Sequence, residues 1–201
     1  MKAILALLAL FIVAPCLAEE QEVTTGPFKI SFDLGIPRES YSVNTSAPKA
    51  TYSPVPRGIW SYLGNDVYSF EQRYTTLELD HTTYKVNLSS NANAERLITI
   101  TLKDFRRDQV SYSPSELASI AKSMMEQMPQ VRDIQESGRM VRGLNGGMAS
   151  GKIDIGDGFY EDIYLVIYIP DARLEVSIVS TYPWEEGTHQ LLETIYVQKK
   201  A

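Results

Sequence analysis

Residues 146–178 read GGMASGKIDIGDGFYEDIYLVIYIPDARLEVSI, and apolar side chains alternate with polar ones over much of this stretch. A period of two is typical of half-buried strands. The aliphatic positions on either side of residues 156–158 share one face only if the loop has three residues, which places Gly151 opposite Ile163. We therefore predict two antiparallel strands joined by an odd loop that holds a glycine in the left-handed conformation.

The next turn, at Pro170-Asp171, is predicted to contain an even number of residues, two or four. Only then do Leu174, Val176 and Ile178 join the aliphatic face of the preceding strand. The stretch becomes an antiparallel three-strand meander with an aliphatic inner face. The small residues at positions 149 and 151 would let a helix approach that face closely.

Three tyrosines, Tyr160, Tyr164 and Tyr168, lie on the predicted outer face of this meander, amid charged residues. A tyrosine ladder in such surroundings indicates either a solvent-exposed face without a partner or a binding face. The alternative is that tyrosine favours strands whatever the function.

Two helices are predicted to cover the sheet. Ser113-Pro114-Ser115-Glu116 is a capping box with proline at the first helical position, and the helix should end near Met128, before Pro129. A second helix is predicted from about Trp184 to Tyr196, with an apolar inner stripe. The predicted fold class is α/β of the α+β type, a layered sandwich with a mostly antiparallel sheet and at least two helices packed on it.

The N-terminal half is predicted to add shorter strands. Residues 27–35, 83–89 and 97–103 alternate between apolar and polar side chains, and a short strand is predicted near residues 41–44. Residues 46–58 carry three prolines and are predicted to form an irregular loop.

Residues 59–70 are predicted to form a hairpin around the three-residue loop 64–66. This register pairs Trp60 with Phe70 and Tyr62 with Tyr68, so that four rings share one face. If the rings are exposed together, they are a candidate contact surface, since monomers rarely show so large an apolar patch to water. If they are buried, they form a satellite core. We treat residues 46–75, the loop plus the hairpin, as an insertion in the domain.

The first 18 residues are predicted to be a removable signal peptide. Lys2 precedes an apolar run over residues 3–14, which is shorter than a membrane-spanning helix, and cleavage is expected after Ala18. Cys16 suggests lipidation as an alternative, although Pro15 does not suit such a site. Cleavage removes the only cysteine, so residues 19–201 are expected to fold as one cysteine-free domain outside the cytoplasm, in the cell envelope or beyond it.

The formal net charge of −6 argues against nucleic acid and anionic membrane surfaces as partners. No segment after the leader is long and apolar enough to span a bilayer, so the processed chain is not expected to do so. Asn44 and Asn87 each begin a glycosylation sequon and are candidate glycan sites, although such triplets also arise by chance.

Motifs for catalysis, cofactors and metals are incomplete. Residues 146–152 imitate a phosphate-binding loop, but Ile153 stands where the motif needs serine or threonine, and a strand follows where it needs a helix. Two acidic clusters are candidate metal sites, but the first lies on a solvated helix face and the spacing of the second matches no calcium loop, so exposed charges are the favoured interpretation of both; they are Glu185, His189 and Glu193, and Asp154, Asp157, Glu161 and Asp162. Hydrolysis would have to use His81 or His189, and no serine lies in a nucleophile elbow. The sequence predicts no cofactor.

The order of a capped helix, a glycine-rich strand, two long strands and the segment Ser180-Thr181-Tyr182-Pro183-Trp184-Glu185 before a last helix resembles the PsbP-like α/β/α sandwich family. The resemblance covers about half of the chain. Residues 25–35 also resemble the start of small exported archaeal proteins of unknown function. The resemblance implies a non-catalytic binding or accessory role, and it carries over no functional residue.

We therefore predict an exported, non-enzymatic binding or accessory module of the cell envelope, whose partner is an unknown protein or an envelope glycan. A metal-dependent or hydrolytic extracytoplasmic enzyme is one alternative. A sugar-binding module of the envelope is the other, because tyrosine rings amid carboxylates suit the faces of sugars.

Overall fold

The computed structural model describes residues 20–200, so the predicted leader, its cleavage site and Cys16 lie outside the described part. The elements, in chain order, are β1 (Gln21–Thr25), β2 (Phe28–Phe32), β3 (Tyr41–Thr45), β4 (Lys49–Gly64), β5 (Val67–Ser90), β6 (Leu97–Phe105), α1 (Pro114–Glu126), β7 (Val131–Val141), β8 (Leu144–Gly156), β9 (Phe159–Asp171), β10 (Leu174–Ser180), α2 (Thr188–Thr194) and β11 (Tyr196–Lys199). Short 3₁₀ turns precede β3 and α2.

The strands form two antiparallel sheets. The small sheet has the order β1-β2-β11, and the central sheet has the order β3-β5-β6-β10-β9-β8-β7, with β4 paired to β5. Of the described residues, 62% lie in strands and 14% in helices. The predicted α/β class is therefore wrong: the chain is a β-dominated sandwich, because segments assigned to loops or left unassigned, such as residues 49–58, 71–82 and 131–141, are strands.

Both faces of the central sheet take part in a hydrophobic core. One face packs against the small sheet and α2, with Ile100, Val166, Val176 and Leu191 among the fully covered side chains. The other face packs against α1, around β7, β8 and β9, through a second cluster that contains Leu117, Ala121, Met125, Ala149, Ile163, Leu165 and Ile167. Strand β9 consequently has apolar residues on both sides, whereas β6 carries Thr99, Thr101 and Lys103 on the side away from the small sheet.

One register prediction and one turn length are correct, but one predicted face is wrong. Gly151 lies opposite Ile163, as predicted. The turn between β9 and β10 also has an even number of residues, since Leu174 pairs with Asp171. A β-bulge between Leu174 and Val176 then shifts the register, so that Val176 pairs with Tyr168 and Ile178 pairs with Val166. The apolar residues of β10 therefore belong to the face that meets the small sheet, because the prediction assumed a ladder without a bulge.

Helix α1 begins as predicted. The Ser113 hydroxyl accepts a hydrogen bond from the Glu116 backbone N–H, and the Glu116 carboxylate accepts one from the Ser113 N–H at 2.7 Å. The helix lies close to β8 because Gly147 has no side chain: a Cβ there would overlap the backbone of Leu117 and Ala118.

The predicted second helix is broken in two. A 3₁₀ turn at Trp184–Glu186 ends at Gly187, whose φ of 147° interrupts the helical backbone, and α2 then covers only Thr188–Thr194. Its predicted inner residues Leu191, Leu192 and Ile195 are buried. The chain then adds β11 to the small sheet, a strand that the sequence patterns did not indicate.

The predicted irregular loop over residues 46–58 is also wrong, since β4 begins at Lys49. β4 is an edge strand that pairs with β5 alone among the described strands. Proline is tolerated at the edge of a sheet, where a missing N–H can face outward and leave the ladder intact. Pro54 and Pro56 therefore occupy regular positions opposite Leu77 and Thr75.

Candidate functional site

The long hairpin of β4 and β5 extends past the rest of the central sheet. β5 pairs with β6 only from His81 onward, whereas its pairing with β4 continues to the tip at Val67. We call residues 52–79 the arm. Within residues 20–200, no third strand pairs with the arm, so it is a two-stranded ribbon.

The predicted register of the hairpin is confirmed. Trp60 lies opposite Phe70 and Tyr62 lies opposite Tyr68. The ring centroids are 4.8 Å apart in the first pair and 5.1 Å apart in the second. These tilted contacts are of the kind that stabilise cross-strand aromatic pairs.

The rings are exposed. Trp60, Tyr62 and Tyr68 keep 68%, 60% and 59% of their surface open to solvent, and Phe70 is half-buried by its neighbours. The alternative of a satellite core therefore does not describe this hairpin.

The apolar surface is longer than the four rings. Residues that alternate along β4 share a side, and so do the residues directly opposite them on β5. We call this side the aromatic face; its apolar residues include Tyr52, Pro54, Trp60, Tyr62, Tyr68, Phe70 and Leu77, and the polar residues Gln72 and Thr75 lie between them, where a β-bulge at Arg57 and Gly58 interrupts the ladder. Tyr52 and Leu77 are 58% and 71% exposed. Sequence reasoning missed these two because the prolines concealed the strand pattern around them.

The opposite side of the arm is more polar. It carries the pairs Arg57 with Tyr74 and Ile59 with Glu71. At the base of the arm, the Glu78 carboxylate forms ion pairs with Arg57 and, at 3.1 Å, with Arg107 of the segment that follows β6. The two sides of the arm thus differ: Arg57, Glu71 and Glu78 lie on one side together with Tyr74 and Ile59, and most of the rings lie on the other.

The three tyrosines of the predicted ladder do not form one surface. Tyr160 is 37% exposed beneath the Arg132 guanidinium, and Tyr164 is half-buried with its ring 5.2 Å from that of Trp184. Tyr168 is only 2% exposed, because its side of β9 faces the small sheet. Tyr168 is therefore not available as part of an external contact surface.

The two histidines have separate surroundings. His81 bonds to Asp80 at 2.7 Å and packs on Phe105, whereas His189 stacks on Trp184 and lies 3.6 Å from Glu193. They share no contact that would assemble a hydrolytic site.

The acidic clusters are engaged locally. Asp162 pairs with Lys152 at 2.5 Å, and Asp154 accepts a hydrogen bond from the Gly156 N–H. No group of three His, Cys, Asp or Glu side chains suited to a metal ion occurs in the described part of the chain. The glycine-rich run 146–152 lies in β8 and precedes no helix N-terminus.

Asn44 and Asn87 lie directly opposite each other on β3 and β5. Asn44 is exposed, whereas Asn87 is half-buried and accepts a hydrogen bond from the Thr99 hydroxyl at 3.0 Å. Of the two sequons, the first therefore has the more accessible asparagine.

No family model matches the sequence, and no curated protein matches it significantly either. Neither helix of the described region is long and apolar enough to cross a membrane. The resemblance to the PsbP-like family stays a prediction.

Proposed function

We propose that this chain is a non-enzymatic binding module of the cell envelope and that it makes its contacts through the aromatic face of the arm. The observation that carries the proposal is the exposure of Trp60, Tyr62 and Tyr68 on a ribbon that no other described strand supports. The predicted signal peptide at residues 1–18 directs export of this module from the cytoplasm.

The physical reason is that the isolated arm leaves apolar surface in water. A two-stranded ribbon is marginally stable without a third strand or a packed face. Exposed apolar patches of several hundred Å² usually mark interaction sites. Tryptophan and tyrosine are also the residues most enriched among those that dominate binding energy.

The partner that the arm suits best is a second copy of this chain. A large aromatic side chain covers about 150–250 Å² when buried. The exposed part of the aromatic face therefore amounts to roughly 500–700 Å² per arm. Two arms packed face to face would bury about 1,000–1,400 Å² in total, at the lower end of the range of specific interfaces.

The charges and symmetry of the arm agree with this partner. Residues 52–79 contain two arginines and three acidic residues, so two arms carry little net charge and repel each other weakly. Two copies related by a twofold axis would bury the same face on each side, as in most homodimers. The pairing would form a four-stranded sandwich with its rings inside.

Sedimentation equilibrium of residues 19–201 tests the proposal. We expect a concentration-dependent dimer for the native sequence and a monomer for the double variant Trp60→Ser with Tyr62→Ser. The matched control is Ile59→Ser with Tyr74→Ser, which removes apolar residues of similar exposure from the opposite side of the arm. This control should dimerise like the native chain.

Three results would contradict the proposal. A native chain that stays monomeric at all concentrations excludes self-association through the arm. Binding on a glycan array that is lost in the Trp60→Ser, Tyr62→Ser variant would instead assign the aromatic face to a sugar. Equal loss of dimer in both double variants would show that the aromatic face has no special role.

A further inference from the structure

A cavity of about 600 Å³ opens between the small sheet and the central sheet. Its lining is mixed: Phe28, Leu174 and Ile195 are almost fully buried apolar residues, and charged side chains lie along the same cavity. Its volume lies within the range of pockets that hold small ligands. We call it the inter-sheet cavity; it is formed by residues remote in sequence from the arm.

Tyr168 is one of the residues that line the inter-sheet cavity, and its buried hydroxyl has no partner among the described residues. The Tyr168 side chain is more than nine-tenths buried. Buried polar groups in folded proteins are almost always hydrogen-bonded, so an exception of this kind requires an explanation. A ligand atom that accepts a hydrogen bond would provide one.

Arg142 brings a positive charge to the same cavity. Its guanidinium lies 4.4 Å from the ring centroid of Tyr196, and no carboxylate within residues 20–200 forms an ion pair with it. The other two cations at the cavity are neutralised, since Lys199 pairs with Asp104 at 2.7 Å and Arg173 pairs with Asp108 at 2.6 Å.

The remaining charged residue at the cavity is Asp171, which forms no ion pair with Arg142. Asp171 lies in the turn between β9 and β10, where its carboxylate accepts a hydrogen bond from the Arg173 N–H and faces the Arg173 side of the rim. Burial raises the pKa of Tyr168 and the Arg142 charge lowers it in part, so the phenol stays a neutral donor at physiological pH.

We propose that the inter-sheet cavity binds a single-chain amphiphile that ends in an ionised carboxylate. The hydrocarbon chain packs against the apolar residues of the cavity between the two sheets. The carboxylate accepts a hydrogen bond from the Tyr168 hydroxyl and forms an ion pair with Arg142, so that both unpartnered groups are satisfied at once. This site is independent of the aromatic face.

Isothermal titration calorimetry of residues 19–201 with decanoate, below its micelle concentration, tests the inference. We expect one saturable site, with at least about tenfold weaker binding of decanol and of decyltrimethylammonium, because a charge-assisted hydrogen bond contributes roughly that factor. Shifts of backbone NMR signals on titration should be confined to the cavity residues.

Three variants distinguish ligand binding in the cavity from nonspecific hydrophobic binding elsewhere on the protein. Tyr168→Phe removes only the hydroxyl, and Arg142→Asn removes the charge while suiting the left-handed backbone at that position, where φ is 46°. Each should weaken decanoate binding by about tenfold. The matched control, Arg132→Asn, removes an arginine that also stacks on a tyrosine but lies outside the cavity, and it should bind normally.

The inference is overturned if decanoate shows no saturable binding, if decanol binds equally well, or if both cavity variants bind like the native chain. The double variant Trp60→Ser with Tyr62→Ser should bind decanoate normally. Loss of binding in that variant would place the amphiphile on the arm and would exclude the cavity. The oligomeric state of the chain does not enter this test.

Discussion

Replacing Gly147 with alanine should destabilise the domain through the contact between β8 and α1. The added Cβ would overlap the backbone of Leu117 and Ala118 and lie 2.6 Å from the Ala118 Cα. Carbon atoms pack best at about 3.5–4.0 Å, and the Leu117 carbonyl carbon would lie closer than the Ala118 Cα, so the helix must move away by roughly 1.5 Å. Overpacking of this kind costs about 1–3 kcal/mol in free energy of unfolding, and we expect the upper end because backbone rather than a flexible side chain is in the way.

The matched control is Gly138→Ala, since Gly138 lies directly opposite Gly147 on β7. A Cβ there meets only the Pro114 Cβ, at 3.3 Å. The unfolded chain loses similar freedom in both variants, so the comparison isolates the contact. Urea unfolding of residues 19–201, followed by circular dichroism, should show a change below about 1 kcal/mol for Gly138→Ala. Equal midpoints for the two variants would refute the close approach of α1 to β8.

Two further predictions concern the effect of single polar side chains on stability. Tyr168→Phe should raise the free energy of unfolding of the ligand-free domain by about 1 kcal/mol, because it removes an unsatisfied buried hydroxyl; a lower urea midpoint would show that the hydroxyl has a partner. Hydrogen bonds from the Ser113 N–H and hydroxyl lower the pKa of Glu116 from its ordinary value of 4.5. A lowered pKa stabilises the fold above that value and loses the contribution as pH falls through the folded-state pKa. The native chain should therefore lose more stability between pH 7 and pH 3 than Glu116→Gln, and equal losses would contradict the role of this carboxylate.

Local patterns predicted the elements whose determinants are close in sequence. The capping box at Ser113 starts α1, and the aromatic pairs Trp60 with Phe70 and Tyr62 with Tyr68 have the predicted register. In both cases the interacting residues are within about ten positions of each other. The alternation of residues 97–103 likewise placed Ile98 and Ile100 in the core.

The fold class was wrong because it depends on pairings between distant segments. Residues 49–58 become a strand only because β5 provides a partner, and their prolines conceal that strand from any local reading. The exposure of the four rings could not be predicted for a related reason. Cross-strand pairing sets which side of a hairpin the rings share, but the absence of a covering layer is decided by the rest of the fold.

The same distant pairing explains why the inter-sheet cavity escaped sequence analysis. Tyr168 was assigned to an outer face, since the parity argument allowed β9 only one buried side. The small sheet, built from the two ends of the described chain, covers the other side and buries Tyr168 there. A tyrosine ladder in a strand that is apolar on both sides is therefore ambiguous. The small sheet packed on this side of β9 distinguishes an exposed ring from a hydroxyl enclosed between two sheets, and the cavity between the sheets is lined by both Tyr168 and Arg142.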